Sequence, residues 1–140
     1  LLEDTALQMR GLALGRGISL TAEHTASAAR FDPKWTAEAL GNLVDNAIKY
    51  TPSGGSVRLS VREFELFCAV EVTDDGPGIP EEEQGAVFNR FYRGKAVREQ
   101  EGLGIGLYLT REILSRQGGY VKLSSKPGQG CRFSLYLPKE

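Results

Sequence analysis

The chain has 140 residues, of which 41% are hydrophobic and 25% are charged, and its formal net charge is −1 at pH 7. This length and composition describe one globular domain that can bury a core without disulfide or metal support. The near balance of charge argues against a surface for nucleic acid or for an anionic membrane. No apolar run is long enough to span a membrane and the first residues lack a signal-peptide pattern, so we expect a cytoplasmic domain. Glycine is in excess, at 17 residues.

The first predicted elements are a helix and a weak hairpin. Apolar residues recur at helical spacing until Gly15 and Gly17 interrupt them: Leu2, Ala6, Met9 and Ala13. We interpret residues 1–17 as the tail of an upstream helical linker. Alternating apolar and polar residues over 18–23 and a small-residue run over 26–31 predict a hairpin that turns near His24.

The strongest local pattern predicts a helix from Pro33 to Lys49. Asp32 is a favourable N-cap, and proline fits the first helical position. One face is apolar, and Trp35 is expected in the core. The opposite face carries Asn42, Asp45, Asn46 and Lys49. Solvent is the ordinary partner of such a face, but two asparagines are unfavourable in mid-helix, and a carboxamide oxygen suits magnesium while a lysine suits phosphate.

The second half of the chain alternates strands with glycine-rich loops. Residues 57–62 and 66–72 predict one antiparallel pair, and residues 121–123 and 131–137 predict another. Residues 81–92 predict a short helix or turn, and 93–101 a mobile loop. A helix then runs to about Gln117, with Ile105, Leu109 and Ile113 on one side. We therefore predict an α/β two-layer sandwich (α+β) with a mixed, mainly antiparallel sheet and helices on one face.

Two glycine-rich segments are candidate ligand-binding loops. The first, 74–78 (DDGPG), is either a tight turn or a place where a buried carboxylate accepts from a ligand amine while the glycines admit the ligand. The second, with Gly102, Gly104 and Gly106 before a helix, is either a flexible hinge or a phosphate-binding turn. Arg90 and Arg93 suit either the surface or a phosphate. Neither glycine segment is a dinucleotide fingerprint or a P-loop.

Taken in order, these segments resemble the sequence boxes of sensor histidine kinases. Residues 42–52 (NLVDNAIKYTP) closely resemble the N box, 74–80 (DDGPGIP) the first glycine box, 87–93 (VFNRFYR) the F box and 102–107 (GLGIGL) the second glycine box. Residues 128–138 resemble the closing strand. The similarity spans about residues 18–138, and four boxes in this order are specific. It implies the Bergerat ATP-binding fold, which gyrase, heat-shock chaperones and mismatch-repair ATPases share.

The resemblance implies that ATP and magnesium are bound. Asn46 would be the magnesium ligand with Asn42 beside it, Lys49 would contact phosphate and Tyr50 would cover the adenine. Asp74 would accept from the adenine amine. The residues beside the base would be Gly76, Gly78 and Ile79. Near the phosphates would lie Arg90, Arg93, an ATP lid at 93–101, and the second glycine box: Gly102, Leu103, Gly104, Ile105, Gly106 and Leu107.

Asn42 bears on the reaction, because hydrolysing relatives have a water-activating glutamate at this position. Asparagine cannot act as a base, so transfer is favoured over hydrolysis. The family's phosphoacceptor histidine lies in a helical dimerisation domain, which nothing here matches, and His24 has the wrong context. Cys131 stands where the family usually has Thr or Ser, which can loosen one contact near the nucleotide.

The resemblance therefore implies that residues 1–140 are a single catalytic ATP-binding domain of an ATP-dependent protein-histidine kinase. The domain would position the γ-phosphate for a histidine on a separate dimerisation domain, in a bacterial two-component system with a response regulator as partner. The parent would be membrane-anchored, without direct membrane contact by this domain. The alternative is a degenerate nucleotide-binding or partner-interaction module that transfers no phosphate.

Overall fold

The computed structural model describes residues 1–23, 29–88 and 106–139. These ranges contain α1 (Leu2–Gly15), β1 (Ser19–Ala22), α2 (Pro33–Tyr50), β2 (Ser56–Glu63), β3 (Phe67–Asp74), α3 (Glu81–Gln84), α4 (Gly106–Arg116), β4 (Tyr120–Ser125) and β5 (Cys131–Pro138). None of the helices in these ranges is long and apolar enough to cross a membrane.

The five strands form one sheet in the order β1-β2-β3-β5-β4. β1 runs parallel to β2, and the other neighbours are antiparallel. The predicted mixed, mainly antiparallel sheet is therefore confirmed. In the ladder between the two central strands, Asp74 at the end of β3 pairs with Cys131 at the start of β5. This pairing places the first glycine-rich segment beside the β4–β5 turn.

A single hydrophobic core lies between one face of the sheet and the helices. α2 contributes most of the fully buried helical side chains, among them Leu40, Leu43 and Ile48, which face Phe133 and other residues of the sheet. α1 contributes Leu2, Ala6 and Ala13 to the same core. The apolar stripe predicted for α2 thus faces inward, and its polar stripe faces away from the core.

The N-terminus of α2 follows from its local sequence. Asp32 has an extended backbone, and its Oδ1 accepts from the backbone N–H groups of Lys34 and Trp35 at 3.0 and 3.1 Å. These bonds satisfy two of the donors that a helix start leaves without partners. Pro33, which has no N–H to satisfy, occupies the first helical position. The predicted capping arrangement is confirmed.

Three local predictions were wrong. β1 pairs in parallel with β2, and residues 29–31 form no strand, so β1 does not form the predicted hairpin with them. His24 and residues 25–28 lie outside the described residues. Trp35 is 54% exposed, whereas Thr36 and Ala39 are fully buried, so Trp35 lies outside the side of α2 that faces the core. On α4, Ile113 packs against the core, but Leu109 is 42% exposed and the fully buried positions are Thr110 and Leu114, since packing against α2 selected a neighbouring face of the helix. Ile105 lies outside the described residues.

Neither cysteine forms a disulfide and both are buried, as expected for reduced core residues. Cys68 lies in β3 and Cys131 begins β5. Burial raises the pKa of both thiols above the ordinary value. They are therefore protonated near neutral pH.

Candidate functional site

Asp74, at the end of β3, is held by backbone donors through one of its two carboxylate oxygens. Oδ1 accepts from the Gly76 N–H at 2.9 Å and from the Cys131 N–H at 3.2 Å. Within the described ranges, Oδ2 has no hydrogen-bond partner. Burial raises the pKa of this carboxyl, although the two backbone hydrogen bonds oppose the shift. Asp74 is thus a fixed, partly desolvated acceptor.

The adjacent carboxylate, Asp75, does a different task. Its Oδ1 accepts from the backbone N–H of Ser56 at 2.8 Å, and its Oδ2 accepts from the Ser56 hydroxyl at 3.1 Å. Asp75 thereby ties the loop to the start of β2. Of the two neighbouring carboxylates, only Asp74 has an oxygen with no hydrogen-bond partner among the described residues.

The glycines after Asp74 allow close backbone approaches. A Cβ on Gly76 would lie 3.0 Å from the backbone oxygen of Tyr50, and a Cβ on Gly78 would collide with the backbone oxygen of Lys126. Gly78 also has φ +78°, a conformation that favours glycine. The segment 74–80, which we call loop 74–80, is therefore packed between the end of α2 and the β4–β5 turn.

The polar stripe predicted on α2 is present. Asn42, Asp45, Asn46, Lys49 and Tyr50 are all half-buried. Lys49 Nζ lies 3.1 Å from Asp45 Oδ2, one helical turn away. Asn42 Nδ2 donates to the backbone oxygen of Gly106 at 3.5 Å, which leaves the Asn42 carbonyl oxygen for another partner. The stripe therefore offers amide oxygens and one ammonium group along a single side of the helix.

The two ends of this stripe meet the two glycine-rich segments. At one end, which we call the loop end, Tyr50 lies against Gly76 of loop 74–80. At the other, which we call the helix end, Asn42 lies against Gly106 at the start of α4. Eight residues separate Asn42 from Tyr50, or about 12 Å at the helical rise per residue. The fold thus brings together boxes that lie far apart in sequence.

Thr51 follows Tyr50 at the loop end. It is only 4% exposed, and its Oγ1 is a buried polar atom with no hydrogen-bond partner in the part of the chain described. Its Cα lies 3.5 Å from the position of a Cβ on Gly76. Because an unsatisfied buried hydroxyl is costly, this end of the stripe is not optimised for stability alone.

At the helix end, α4 begins with Gly106 and Leu107. The hydroxyl of Thr110 donates to the backbone oxygen of Gly106 at 2.9 Å and lies 3.4 Å from that of Ala39. These contacts fix the first turn of α4 on α2. Exposed N–H groups at such a helix start attract anions.

Sequence reasoning missed two residues that organise loop 74–80. Ser125 Oγ accepts from the Ile79 N–H and donates to the Gly130 oxygen, each at 2.8 Å. Gln84 Nε2 donates to the backbone oxygens of Ile79 and Ser125, each at 2.9 Å. The available signal was the alternation of β4, in which Ser125 continues the inward phase of Val121 and Leu123.

Several predicted site residues lie outside the described residues: Arg90, Arg93, Gly102, Leu103, Gly104 and Ile105, together with the lid at 93–101. Of the remaining predicted residues, the structure brings Tyr50 together with Asp74, Gly76, Gly78 and Ile79 at the loop end, and Asn42 together with Gly106 at the helix end.

Residues 31–140 match the family described as histidine kinase-, DNA gyrase B-, and HSP90-like ATPase. The chain belongs to this family. It is 34% identical over 140 residues to the sensor protein kinase PmrB of Pseudomonas aeruginosa, and this match covers 99% of this chain and 29% of that protein. It is 44% identical over 108 residues to the adaptive-response sensory kinase SasA of a Synechococcus species, and this match covers 76% of this chain and 29% of that protein.

The fold is similar to that of full-length ShkA in complex with AMPPNP, with a TM-score of 0.85 and 25% identity over 98% of this chain and 29% of that chain. The predicted family and fold class are confirmed, and the chain is an ATP-binding domain of the histidine kinase type. It spans only 29% of the length of each of these relatives.

Proposed function

We propose that this chain binds magnesium-ATP and positions the γ-phosphate for transfer to a histidine on a separate dimerisation domain. The observation that carries the proposal is the single polar stripe of α2, which has an acceptor carboxylate at its loop end and the start of a helix at its helix end. A nucleoside triphosphate has matching polarity, because its base carries an amine donor and its other end is anionic.

The loop end suits the base. Asp74 Oδ2 is available to accept from the adenine amine while Oδ1 stays fixed by two N–H groups. Gly76, Gly78 and Ile79 would admit the edge of the base to the backbone, and Tyr50 would cover its face. A fixed acceptor needs no reorganisation when the ligand arrives, which favours affinity.

The helix end suits the phosphates. The N-terminus of α4 at Gly106 and Leu107 supplies a favourable field for anions. Lys49 begins nearer the loop end, and its long side chain would supply a cation to the phosphates once it exchanges its Asp45 partner for them. We extend the same proposal to Arg90, Arg93 and the second glycine box by resemblance to the family.

Magnesium fits the donor set of the stripe. Asn46 would hold the ion through its carboxamide oxygen, with Asn42 beside it. No group of three His, Cys, Asp or Glu in the described part of the chain could hold a metal ion. A site with few protein ligands is typical of magnesium bound together with nucleotide phosphates and water. When bound, the ion would neutralise charge on the phosphates.

Asn42 favours transfer over hydrolysis. No carboxylate base stands at this position, and the Asn42 amide is already engaged with Gly106. The relatives are sensor kinases, so we assign the acceptor histidine to another domain of the same kinase and propose a response regulator as the next partner. Positioning supplies much of the catalysis of phosphoryl transfer, so the domain without its acceptor would bind ATP and transfer little. Since ATP is the substrate, we place the domain in the cytoplasm.

Calorimetric titration of the 140-residue chain with ATP, with and without magnesium, tests the proposal. We expect saturable binding that magnesium strengthens. Asn46→Ala should remove the magnesium-dependent part of the affinity, because it removes the proposed ligand oxygen. Glu38→Ala, exposed two turns earlier on α2, is the matched control and should keep that part.

Two results would contradict the proposal. Absence of binding at millimolar ATP would favour a partner-interaction module without phosphotransfer. Steady release of phosphate by the isolated chain would favour a hydrolase. Transfer itself is measured by adding the dimerisation domain of the same kinase and following the label from γ-labelled ATP to its histidine.

A further inference from the structure

Ser125, at the end of β4, uses all its hydrogen-bonding capacity at one junction. A hydroxyl has one proton and two lone pairs. The proton goes to the Gly130 oxygen at 2.8 Å, and one lone pair accepts from the Ile79 N–H at 2.8 Å. Cys131 Sγ lies 3.3 Å from the same Oγ. Because the serine proton is already engaged, the protonated Cys131 thiol is the donor in this contact.

This junction leads directly to Asp74 through one peptide bond. The Gly130 carbonyl, which accepts from Ser125, belongs to the same planar peptide as the Cys131 N–H, which donates to Asp74 Oδ1. The orientation of this peptide is therefore fixed from both sides. Hydrogen bonds in such a chain polarise one another, so each strengthens its neighbour.

Gln84 reinforces the same junction from α3. Its single amide nitrogen donates to the backbone oxygens of Ile79, in loop 74–80, and of Ser125, in β4, at 2.9 Å each. The Gly128 N–H also donates to the Pro77 oxygen at 2.7 Å. Loop 74–80 is thus joined to the β4–β5 turn by side-chain and backbone bonds.

We propose that Ser125, assisted by Gln84, is a positioning residue for the base-binding carboxylate Asp74. This inference rests on the proposed function, since it assigns how the acceptor for the adenine amine is held. Without the Ser125 hydroxyl, the Gly130 carbonyl and the Ile79 N–H lose the partner that they share. The loop conformation that binds adenine is then one of several that the chain can adopt. Apparent affinity falls in proportion to the population of the competent arrangement.

The test compares ATP with ITP, which carries a carbonyl where adenine carries an amine. Ser125→Ala should weaken ATP binding about tenfold, the size expected for leaving a partly buried N–H without a partner. ITP affinity should not change, because Asp74 does not recognise that base. Ser125→Thr keeps the hydroxyl and should restore ATP affinity. Ser124→Ala, the exposed neighbour, is the matched control and should leave both affinities unchanged.

Gln84→Glu tests the junction without removing a buried atom. It places a carboxylate opposite two carbonyl oxygens, and should also lower the preference for ATP over ITP. Gln129→Glu adds the same charge at an exposed position of the β4–β5 turn and should not. If Ser125→Ala fails to fold, this pair decides the question.

The outcomes separate the inference from the proposed function. A wild-type chain that does not bind ATP contradicts the proposed function. A wild-type chain that prefers ATP over ITP, with unchanged preference in Ser125→Ala or, where that variant does not fold, in Gln84→Glu, overturns the role of Ser125 alone. Equal loss of ATP and ITP affinity would also overturn it, because that result indicates general destabilisation.

Discussion

The loop end and the helix end of the α2 stripe are built in opposite ways. At the loop end, backbone meets backbone: Gly78 approaches Lys126, and Gly130 approaches Asp74 so closely that a Cβ would collide with the facing carbonyl. At the helix end, the nearest atom of the described residues to a Cβ on Gly106 would be Asn42 Cβ, at 3.9 Å. Among the described residues, the loop end is therefore closely packed around its glycines, whereas Gly106 has an ordinary contact only.

This difference shows that glycines in one site do different work. At the loop end, glycine is required because the backbone itself forms the packed surface and adopts a left-handed conformation. At Gly106, the described structure imposes no such requirement. The Asp74 carboxylate is thus fixed by the fold, whereas no described residue crowds a Cβ at Gly106.

Gly130→Ala should have the largest effect on stability. Its φ is +80° and its Cβ would collide with the Asp74 oxygen, so we expect the free energy of unfolding to fall by about 2 to 5 kcal/mol from combined backbone strain and overpacking. Gly128→Ala is the matched control, because Gly128 has φ +79° and a Cβ there would have no atom of the described residues within 4 Å. Its free energy of unfolding should fall by about 1 to 2 kcal/mol. Urea unfolding measures both, and equal losses would show that close packing is unimportant.

Asp74→Asn should have the largest effect on binding. The amide would present a donor to the adenine amine, so ATP affinity should fall about 10- to 100-fold, as for loss of a hydrogen bond to a charged group. Asp75→Asn, one residue on, should lower stability through Ser56 and leave affinity unchanged. Calorimetry distinguishes the two. An equal loss of affinity in both variants would mean that only the loop conformation matters.

Asp74→Asn should also have a smaller, pH-dependent effect on the stability of the folded chain. Because burial raises the pKa of Asp74, the folded state retains a proton that the unfolded chain has released, so stability falls as pH rises through the folded pKa. Asp74→Asn should therefore unfold at a higher urea midpoint than the wild type at neutral pH, and the difference should shrink on acidification. A variant that is less stable than the wild type at pH 7 would contradict this account.

Gly106→Ala should have the smallest effect, with the opposite sign to Gly130→Ala. Alanine is the better helix former, and among the described residues its Cβ would have one ordinary contact, with Asn42, so we expect a gain of about 0.5 kcal/mol. Gly41→Ala, in the middle of α2, is the helical control: a Cβ there would have no atom of the described residues within 4 Å, so this variant should also gain stability. Thermal unfolding checks both. A loss comparable to that of Gly130→Ala would show that the two ends are packed alike.

Local sequence patterns predicted the helices and strands whose stabilising interactions join residues close together in the sequence. The Asp32 cap, the proline after it and the apolar stripe of α2 are satisfied inside one helix and its face, so the sequence alone predicted them. The antiparallel pair β2–β3 likewise follows from alternation and a short turn. The parallel pairing of β1 with β2 could not be predicted, because its partner lies more than 30 residues away and the intervening α2 makes the connection.

The candidate site shows the same division. Helical periodicity predicted that Asn42 and Asn46 lie on one side of α2, as they do, but their assignment to the metal and that of Asp74 to the base remain predictions. Residue type also could not distinguish Asp74 from Asp75. That distinction depends on which carboxylate meets Ser56 and which meets the Cys131 N–H, and both partners come from distant strands.

The sequence by itself determined the family, the fold class and the helix that carries the polar stripe, because periodicity, capping and ordered motifs are local and additive. Only the tertiary structure decided which Asp74 oxygen is held by backbone N–H groups and that Ser125 and Gln84 bond to its loop. Those properties depend on the ladder between β3 and β5 and on the β4–β5 turn. The glycine excess therefore has two causes, ordinary turns and backbone approaches, which composition alone does not separate.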